Sequence, residues 1–310
     1  MIEAKGLVRR YDDFLAVDNV SFTIQPGQVV GLLGHNGAGK TTIMKMITGF
    51  LEPSSGTITV NGTDVQDDPL TVQSQLGYLP ENLPLYPEMT VAQYLSFTAQ
   101  LRNLDPATCV AEAIGATQLE AKALDPIETL SRGYKQRVGV AQAILHKPKY
   151  LILDEPSNGL DPNQIQHMRD LIRELAEHAT VILSTHIMQE VSAVCDRTLM
   201  MRSGQLVIDE NLDQLQRTDE LKLLTQDDTK IAEINFGSGV QQVVNNKPGE
   251  WRFTVAQDHD LNQVCAQIAQ NLVQAGVQIH ELRQQRKDLE QVFSEINQVE
   301  PSAAGGQHAA

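Results

Sequence analysis

The sequence predicts an α/β fold with a smaller α+β unit appended after it, on three observations. Short continuous apolar runs at 150–154 and 180–184 have the length and composition of strands buried on both faces of a parallel sheet. Between them Ile165, Met168, Leu171, Ile172 and Leu175 recur at helical spacing, which makes a strand, crossover helix, strand unit. After about residue 216 the texture changes to glutamine-rich segments that are still amphipathic.

In chain order, the start reads as short strands with tight turns: 2–11, 16–24, 28–33 after the turn Pro26-Gly27, and 57–60 ending in Asn61-Gly62. Ile43, Met46, Ile47 and Phe50 recur at helical spacing behind the third strand, with Gly49 as a stop signal. Residues 88–140 read as a helical insertion, with Val91, Tyr94, Leu95 and Thr98 on one face and breaks at Pro106 and Pro126. A hairpin over 197–209 turns at Ser203-Gly204. Beyond it, 231–236 and 251–255 read as strands, 261–275 as a helix, 277–283 as a strand and 289–297 as a helix. The expected organisation is a large domain over 1–215, a small α+β domain over 216–298, and a disordered Ala/Gly-rich tail over 299–310.

With 310 residues and 41% hydrophobic content, the chain can bury a large core. A net charge of −15 works against holding a nucleic acid backbone, which takes concentrated Lys and Arg to release counterions. Cys109, Cys195 and Cys265 show neither paired nor metal-ligand spacing, so a reducing compartment and no structural zinc are expected. No stretch approaches the roughly 18 apolar residues of a spanning helix. A cytoplasmic protein without a membrane span follows, although composition leaves open whether it works beside a membrane.

The chemistry concentrates in Gly34-His35-Asn36-Gly37-Ala38-Gly39-Lys40-Thr41, which fits G-x-x-x-x-G-K-[ST] between a strand and a helix, with Thr42 following in that helix. Glycines let backbone N–H groups turn towards phosphate oxygens and the helix N-terminus adds its positive end. Lys40 is placed to reach the β- and γ-phosphates and Thr41 to ligate Mg²⁺, so the loop is expected to bind a nucleoside triphosphate. The strand at 150–154 then delivers Asp154 and Glu155. Standing alone, an acidic pair after a strand reads as a solvated turn; beside a phosphate loop it reads as the second half of the site. Adjacent strand residues point to opposite sides, so Asp154 is expected to hold the Mg²⁺ shell and Glu155 to orient or deprotonate the attacking water.

With these motifs the sequence resembles the ATP-binding cassette family, the nucleotide-binding subunits of ABC transporters, over about residues 1–215. Leu130-Ser131-Arg132-Gly133-Tyr134-Lys135-Gln136-Arg137 is similar to the family signature LSGGQ-x-QR, departing from it at Arg132 and Tyr134. The resemblance implies a mixed-sheet core with an antiparallel β subdomain and a helical subdomain. It also implies that Ser131 and Gly133 contact the γ-phosphate held by the loop of a second subunit, in a head-to-tail dimer around ATP. Ser157-Asn158-Gly159-Leu160-Asp161-Pro162 is similar to the D-loop, His186 matches the switch histidine, and Tyr11 corresponds to the aromatic residue that stacks on adenine. Glu81 stands where most members carry the Q-loop glutamine and can offer an oxygen to Mg²⁺ or water. This substitution, the segment Leu83-Pro84-Leu85-Tyr86-Pro87 and the C-terminal unit resemble the ABC-2 type exporter branch, which includes gliding-motility and drug-resistance ATPases.

The function implied is an ATPase subunit, most simply a homodimer, that drives a separate membrane permease from the inner face of the membrane. Leu83, Leu85 and Tyr86 are candidate permease contacts, or ordinary loop packing. The C-terminal unit either reinforces the dimer, regulates it, or is a passive appendage. A soluble cassette ATPase acting on a macromolecular partner is the alternative; the single cassette, the absence of a heptad run and the acidity weigh against it. A metabolic kinase or GTPase would leave the signature and switch segments unexplained.

Overall fold

The computed structural model describes residues 1–226, 228–290 and 292–293. The chain divides into two compact units, residues 1–212 and 213–310.

The first unit starts with β1 (Ile2–Tyr11) and β2 (Phe14–Ile24), which pair antiparallel and, with β4 (Ser55–Val60) and β5 (Thr63–Asp64), form a sheet of order β2-β1-β4-β5. In β2 the alternating Val20, Phe22 and Ile24 are buried, the mark of a sheet packed on one face. The second sheet holds β3 (Val29–Leu33), β6 (Leu76–Leu79), β7 (Tyr150–Asp154), β8 (Thr180–Thr185), β9 (Arg197–Arg202) and β10 (Gln205–Asn211) in the order β10-β9-β3-β8-β7-β6. All neighbours are parallel except β10, which returns from β9 as a hairpin at Ser203-Gly204. Every residue of β3, β7 and β8 is buried, because both faces of this sheet are covered. Tyr150 and Ile152 face the core shared with the antiparallel sheet and α1 (Lys40–Ile47), whereas Leu151 and Leu153 face Met168, Leu171 and Ile172 of the crossover helix.

Between β5 and β6 lies α2 (Pro69–Gln75). The helical insertion comprises α3 (Val91–Leu101), α4 (Pro106–Ala116) and α5 (Arg132–Ile144) around their own core of Tyr94, Leu95, Val110, Leu119, Ile127 and Val138. Thr90 and Gln93 close a capping box at the start of α3, and Asp105 caps α4 ahead of Pro106, so the proline that breaks the pattern begins a helix. The crossover helix α6 (Pro162–Ala176) has a capping box between Asp161 and Gln164, and α7 (Met188–Val194) follows β8.

The second unit is a sheet of order β12-β13-β11-β14, built from β11 (Arg217–Leu224), β12 (Val240–Lys247), β13 (Glu250–Val255) and β14 (Glu281–Arg286). Its core joins Leu221, Leu223, Trp251 and Phe253 to Val264, Ile268 and Leu272 of the helix Leu261–Gln274.

Two expected strands here are corrected. Residues 231–236 are not a strand: Ile231 and Phe236 are buried and Ile234 is half-buried, a three-residue spacing that suits the turn in which Ile234 N–H donates to Ile231 C=O. Asn235 then closes a turn onto Gly237 N–H. The strand expected over 277–283 begins only at Glu281, because Val277 N–H bonds back to Leu272 C=O and Val277 belongs to the helix C-cap. Strands β11 and β12 went unread in the sequence. β11 buries only Leu221 and Leu223, and β12 is an edge strand that buries nothing, so neither carries an apolar run. Of the helix expected over 289–297, residues 289–290 and 292–293 are helical, and the remainder, with the tail over 299–310, lies outside the described residues.

Candidate functional site

The parallel register aligns strand ends: Leu33 of β3 lies opposite Thr185 of β8, Ser184 opposite Asp154 of β7, and Leu153 opposite Leu79 of β6. The loops that leave these four ends therefore meet above one edge of the sheet, where open α/β sheets bind ligands.

The phosphate loop leaves β3 and enters α1. Gly39 is its N-cap at φ 105, and an added Cβ would lie 2.6 Å from the Ala16 carbonyl, so glycine is required both for backbone conformation and for space. Gly39 supplies no side-chain cap, which leaves the N–H groups of Lys40, Thr41 and Thr42 in the first turn for an anion. These residues, with His35, Asn36, Gly37, Tyr11, Phe14, Glu81 and Glu155, line a cavity of about 260 Å³. Gly34 and Ala38 set the loop from behind; Ala38 is buried, and a Cβ at Gly34 would lie 2.9 Å from that of Ala38.

Lys40 is only 6% exposed and its ammonium donates to Gly34 C=O at 2.7 Å. The same nitrogen lies 3.4 Å from Glu155 Oε1, while Glu155 Oε2 is 2.9 Å from His186 Nδ1. Glu155 thus bridges Lys40 and His186. Its backbone is left-handed, with φ 49, and its N–H donates to Ser184 C=O and Oγ. Strand alternation was expected to separate Asp154 from Glu155. Instead both carboxylates reach the phosphate loop, because the chain leaves β7 at Asp154 and the left-handed turn at Glu155 folds its side chain back towards Lys40.

Asp154 Oδ1 accepts from Thr41 Oγ1 at 3.3 Å and from Ser184 Oγ at 2.5 Å. Asp154 Oδ2 is buried with no hydrogen-bond partner. Burial pushes the Asp154 carboxyl above its ordinary value, opposed by the Ser184 and Thr41 hydroxyls and reinforced by the charges of Glu81 and Glu155. Glu81 is exposed, and its Oε1 accepts from Asn158 Nδ2 at 3.4 Å. Tyr11 is 42% exposed, with the Arg9 guanidinium 4.7 Å above its ring.

Ser131 and Gly133 lie elsewhere. They begin α5 and line a separate cavity with Tyr134, Arg137, Leu160 and Gln164, which shares no residue with the phosphate-loop cavity. The Ser131 hydroxyl makes no cap bond to its own helix. Of the residues expected at a permease contact, Leu83 and Leu85 are half-buried against the cores of the sheet and the helical insertion, and Tyr86 is exposed with its ring edge-on to Phe97.

Two residues of the site were not singled out from sequence: Phe14, which is 61% exposed beside Tyr11, and Ser184, which holds both acidic residues; Asn158, read only as part of the D-loop resemblance, turns out to reach Glu81. An aromatic residue two positions ahead of the strand expected over 16–24 was the available signal for Phe14.

A family model described as ABC transporter matches residues 17–158. The chain is 33% identical to the uncharacterized ABC transporter ATP-binding protein YxlF of Bacillus subtilis (strain 168), over 96% of this chain and 99% of that one. It is 30% identical to the bacitracin transport ATP-binding protein BcrA of Enterococcus faecalis, over 96% of each. Among solved structures, an ATP binding subunit of an ABC transporter superposes with TM-score 0.63 at 32% identity, over 69% of this chain and 91% of that one. The dimeric structure of MJ0796, a bacterial ABC transporter cassette, shares the fold with TM-score 0.64 at 22% identity, over 68% and 99%.

Proposed function

Because the chain belongs to the ATP-binding proteins of ABC transporters, and is an ATPase of that family, we propose that it works as a head-to-tail dimer around two ATP molecules and drives a separate membrane permease of the exporter kind. The observation that carries the dimer is the split site. Phosphate-loop residues and the signature residues Ser131 and Gly133 line cavities with no residue in common. A second copy turned head to tail would bring its uncapped α5 N-terminus to the phosphates held by Lys40.

In this reading Tyr11, with Phe14, stacks on the base. The first-turn N–H groups of α1 and the Lys40 ammonium bind the phosphates. Glu155 holds the attacking water and takes its proton as the γ-phosphoryl group passes from ADP to that water. His186, bonded to Glu155 Oε2, fixes the carboxylate and reaches the γ-phosphate. Among the described residues no three His, Cys, Asp or Glu side chains form a metal cage. The orphaned Asp154 Oδ2 and the neighbouring Thr41 hydroxyl instead offer the sparse oxygen donors that suit Mg²⁺ shared with phosphates, with Glu81 as a further oxygen. When bound, Mg²⁺ would supply charge neutralisation between the β- and γ-phosphates.

A permease partner is supported by the family and by the transport role in BcrA's name; no helix among the described residues is long and apolar enough to cross a membrane. Exposed Tyr86 is the side chain we assign to that contact, whereas Leu83 packs on the sheet core and Leu85 on the core of the helical insertion. The test is Glu155→Gln in Mg-ATP at micromolar protein. Loss of hydrolysis together with a stable dimer by light scattering is expected. Near-normal hydrolysis would remove the water-activating role, and a persistent monomer would remove the dimer. Recovery of an integral membrane protein with the wild-type chain from detergent-solubilised membranes tests the permease; its absence would favour a soluble partner.

A further inference from the structure

Arg132 departs from the family signature, and its position in the fold gives it a job. The side chain is exposed and, among the described residues, makes no hydrogen bond or ion pair. It lies across Gly159 instead. A Cβ at Gly159 would sit 2.4 Å from Arg132 Cζ and Nη1 and 2.8 Å from Nε, and Gly159 is left-handed at φ 72. One residue on, a Cβ at Gly133 would lie 2.8 Å from Cδ of Gln164, the residue that closes the capping box of α6 with Asp161. The first turn of α5 is therefore packed at two points onto the loop 157–161 and the start of α6.

That loop runs directly from Glu155. Asn158 N–H donates to Glu155 C=O at 3.1 Å, and Asn158 Nδ2 reaches Glu81. So only three residues, 156–158, separate the carboxylate that faces Lys40 from the glycine beneath Arg132. A planar guanidinium against bare backbone fixes both orientation and distance, and packed contacts of this kind shift as units rather than deform.

We propose that Arg132 is a positioning residue that transmits the engagement of Ser131 and Gly133 with a phosphate to Glu155 of the same chain. This rests on the head-to-tail dimer: the phosphate read by the signature turn is held by the partner, whereas Glu155 acts on the nucleotide of its own chain. Arg132 then makes hydrolysis at one site respond to occupancy of the other, and Gly159 is the surface it pushes against.

Steady-state ATP hydrolysis of the full chain, measured against ATP concentration, tests this with Arg132→Ala, Gly159→Ala and the double variant. For two coupled sites the wild-type Hill coefficient should approach about 2, and Arg132→Ala should bring it to about 1. Misplacement of Glu155 should lower kcat about tenfold. Because both substitutions break one contact, the double variant should lose much less than the product of the single losses. Dimerisation in Mg-ATP is followed alongside, in the Glu155→Gln background with and without Arg132→Ala. A dimer that forms in both, together with an unchanged Hill coefficient or multiplicative losses, overturns the role of Arg132 and leaves the dimer standing. A Glu155→Gln chain that stays monomeric, with non-cooperative wild-type hydrolysis, overturns the dimer and this role with it.

Discussion

His186 Nδ1 lies 2.9 Å from Glu155 Oε2, on the side of the carboxylate opposite Lys40. The contact orients a carboxylate that the backbone alone holds in a left-handed turn. His186→Ala should lower kcat by about 100-fold, the scale for misplacing a catalytic carboxylate, and leave the KM for ATP within about threefold. Steady-state kinetics decide; an unchanged kcat would remove His186 from the reaction.

The Lys40 and Glu155 side chains are only 6% and 8% exposed. Removing one partner strands a buried charge at a cost of about 3 kcal/mol. Lys40→Met should abolish ATP binding and also lower the unfolding midpoint without nucleotide. Adding Glu155→Gln should restore part of that midpoint. Denaturant unfolding of the single and double variants checks this, and additive losses would show that the pair does not interact.

Ser184 supports Asp154 against the upward push of burial. Ser184→Ala should move the Asp154 carboxyl further up. In the proposed reading the anion is the form that binds Mg²⁺, so Mg-dependent nucleotide binding should fail at a higher pH in the variant as pH is lowered. Identical pH midpoints for ATP binding in the two proteins would contradict the assignment.

His146 is a pH element remote from the phosphate loop. Burial, and secondarily the charge of Arg102, bring it down from 6.5 to about 4, while its Nε2–H donates to Leu76 C=O at 2.9 Å. The unfolded chain therefore binds more protons between those two values, and stability is lost as pH falls from 6.5 through about 4. Allowing for its partial exposure, the loss should be about 2 kcal/mol. His146→Gln keeps a donor and should flatten this part of the profile; urea unfolding of both proteins at a series of pH values measures it.

Tyr11 and Phe14 form an exposed aromatic pair at the mouth of the cavity. Either alanine substitution should weaken ATP binding about tenfold, since base stacking is worth about 1–3 kcal/mol. Fluorescent-nucleotide titration reads it, and a loss confined to Tyr11 would leave Phe14 as surface.

The parts of the fold legible in the sequence were those in which one physical demand dominates. β7 and β8 are buried on both faces and read as apolar runs, and the phosphate loop carries glycines that no side chain could replace. β11 and β12 were illegible because their ladder hydrogen bonds, not burial, define them. In the site, Lys40, Thr41, Asp154 and Glu155 follow from motif spacing. The bond of Ser184 to Asp154 depends on which strands are neighbours, and the seat of Arg132 on Gly159 depends on two loops 27 residues apart in sequence. Neither relationship is local, so no window of residues carries it.

Five parallel strands run in one direction, and Lys40, Glu81, Asp154, Glu155 and His186 all lie at the same edge of that sheet, where its strands end. The opposite edge, where residues 26–28, 148–149 and 179 enter the strands, carries none of them. Gln25, which leads into this edge, is exposed, whereas Gly27 is left-handed at φ 81 and takes no side chain without strain. The two edges are thus separable by engineering: a fluorophore or affinity tag installed at Gln25 would report on this chain inside an assembly without standing between nucleotide and catalytic groups.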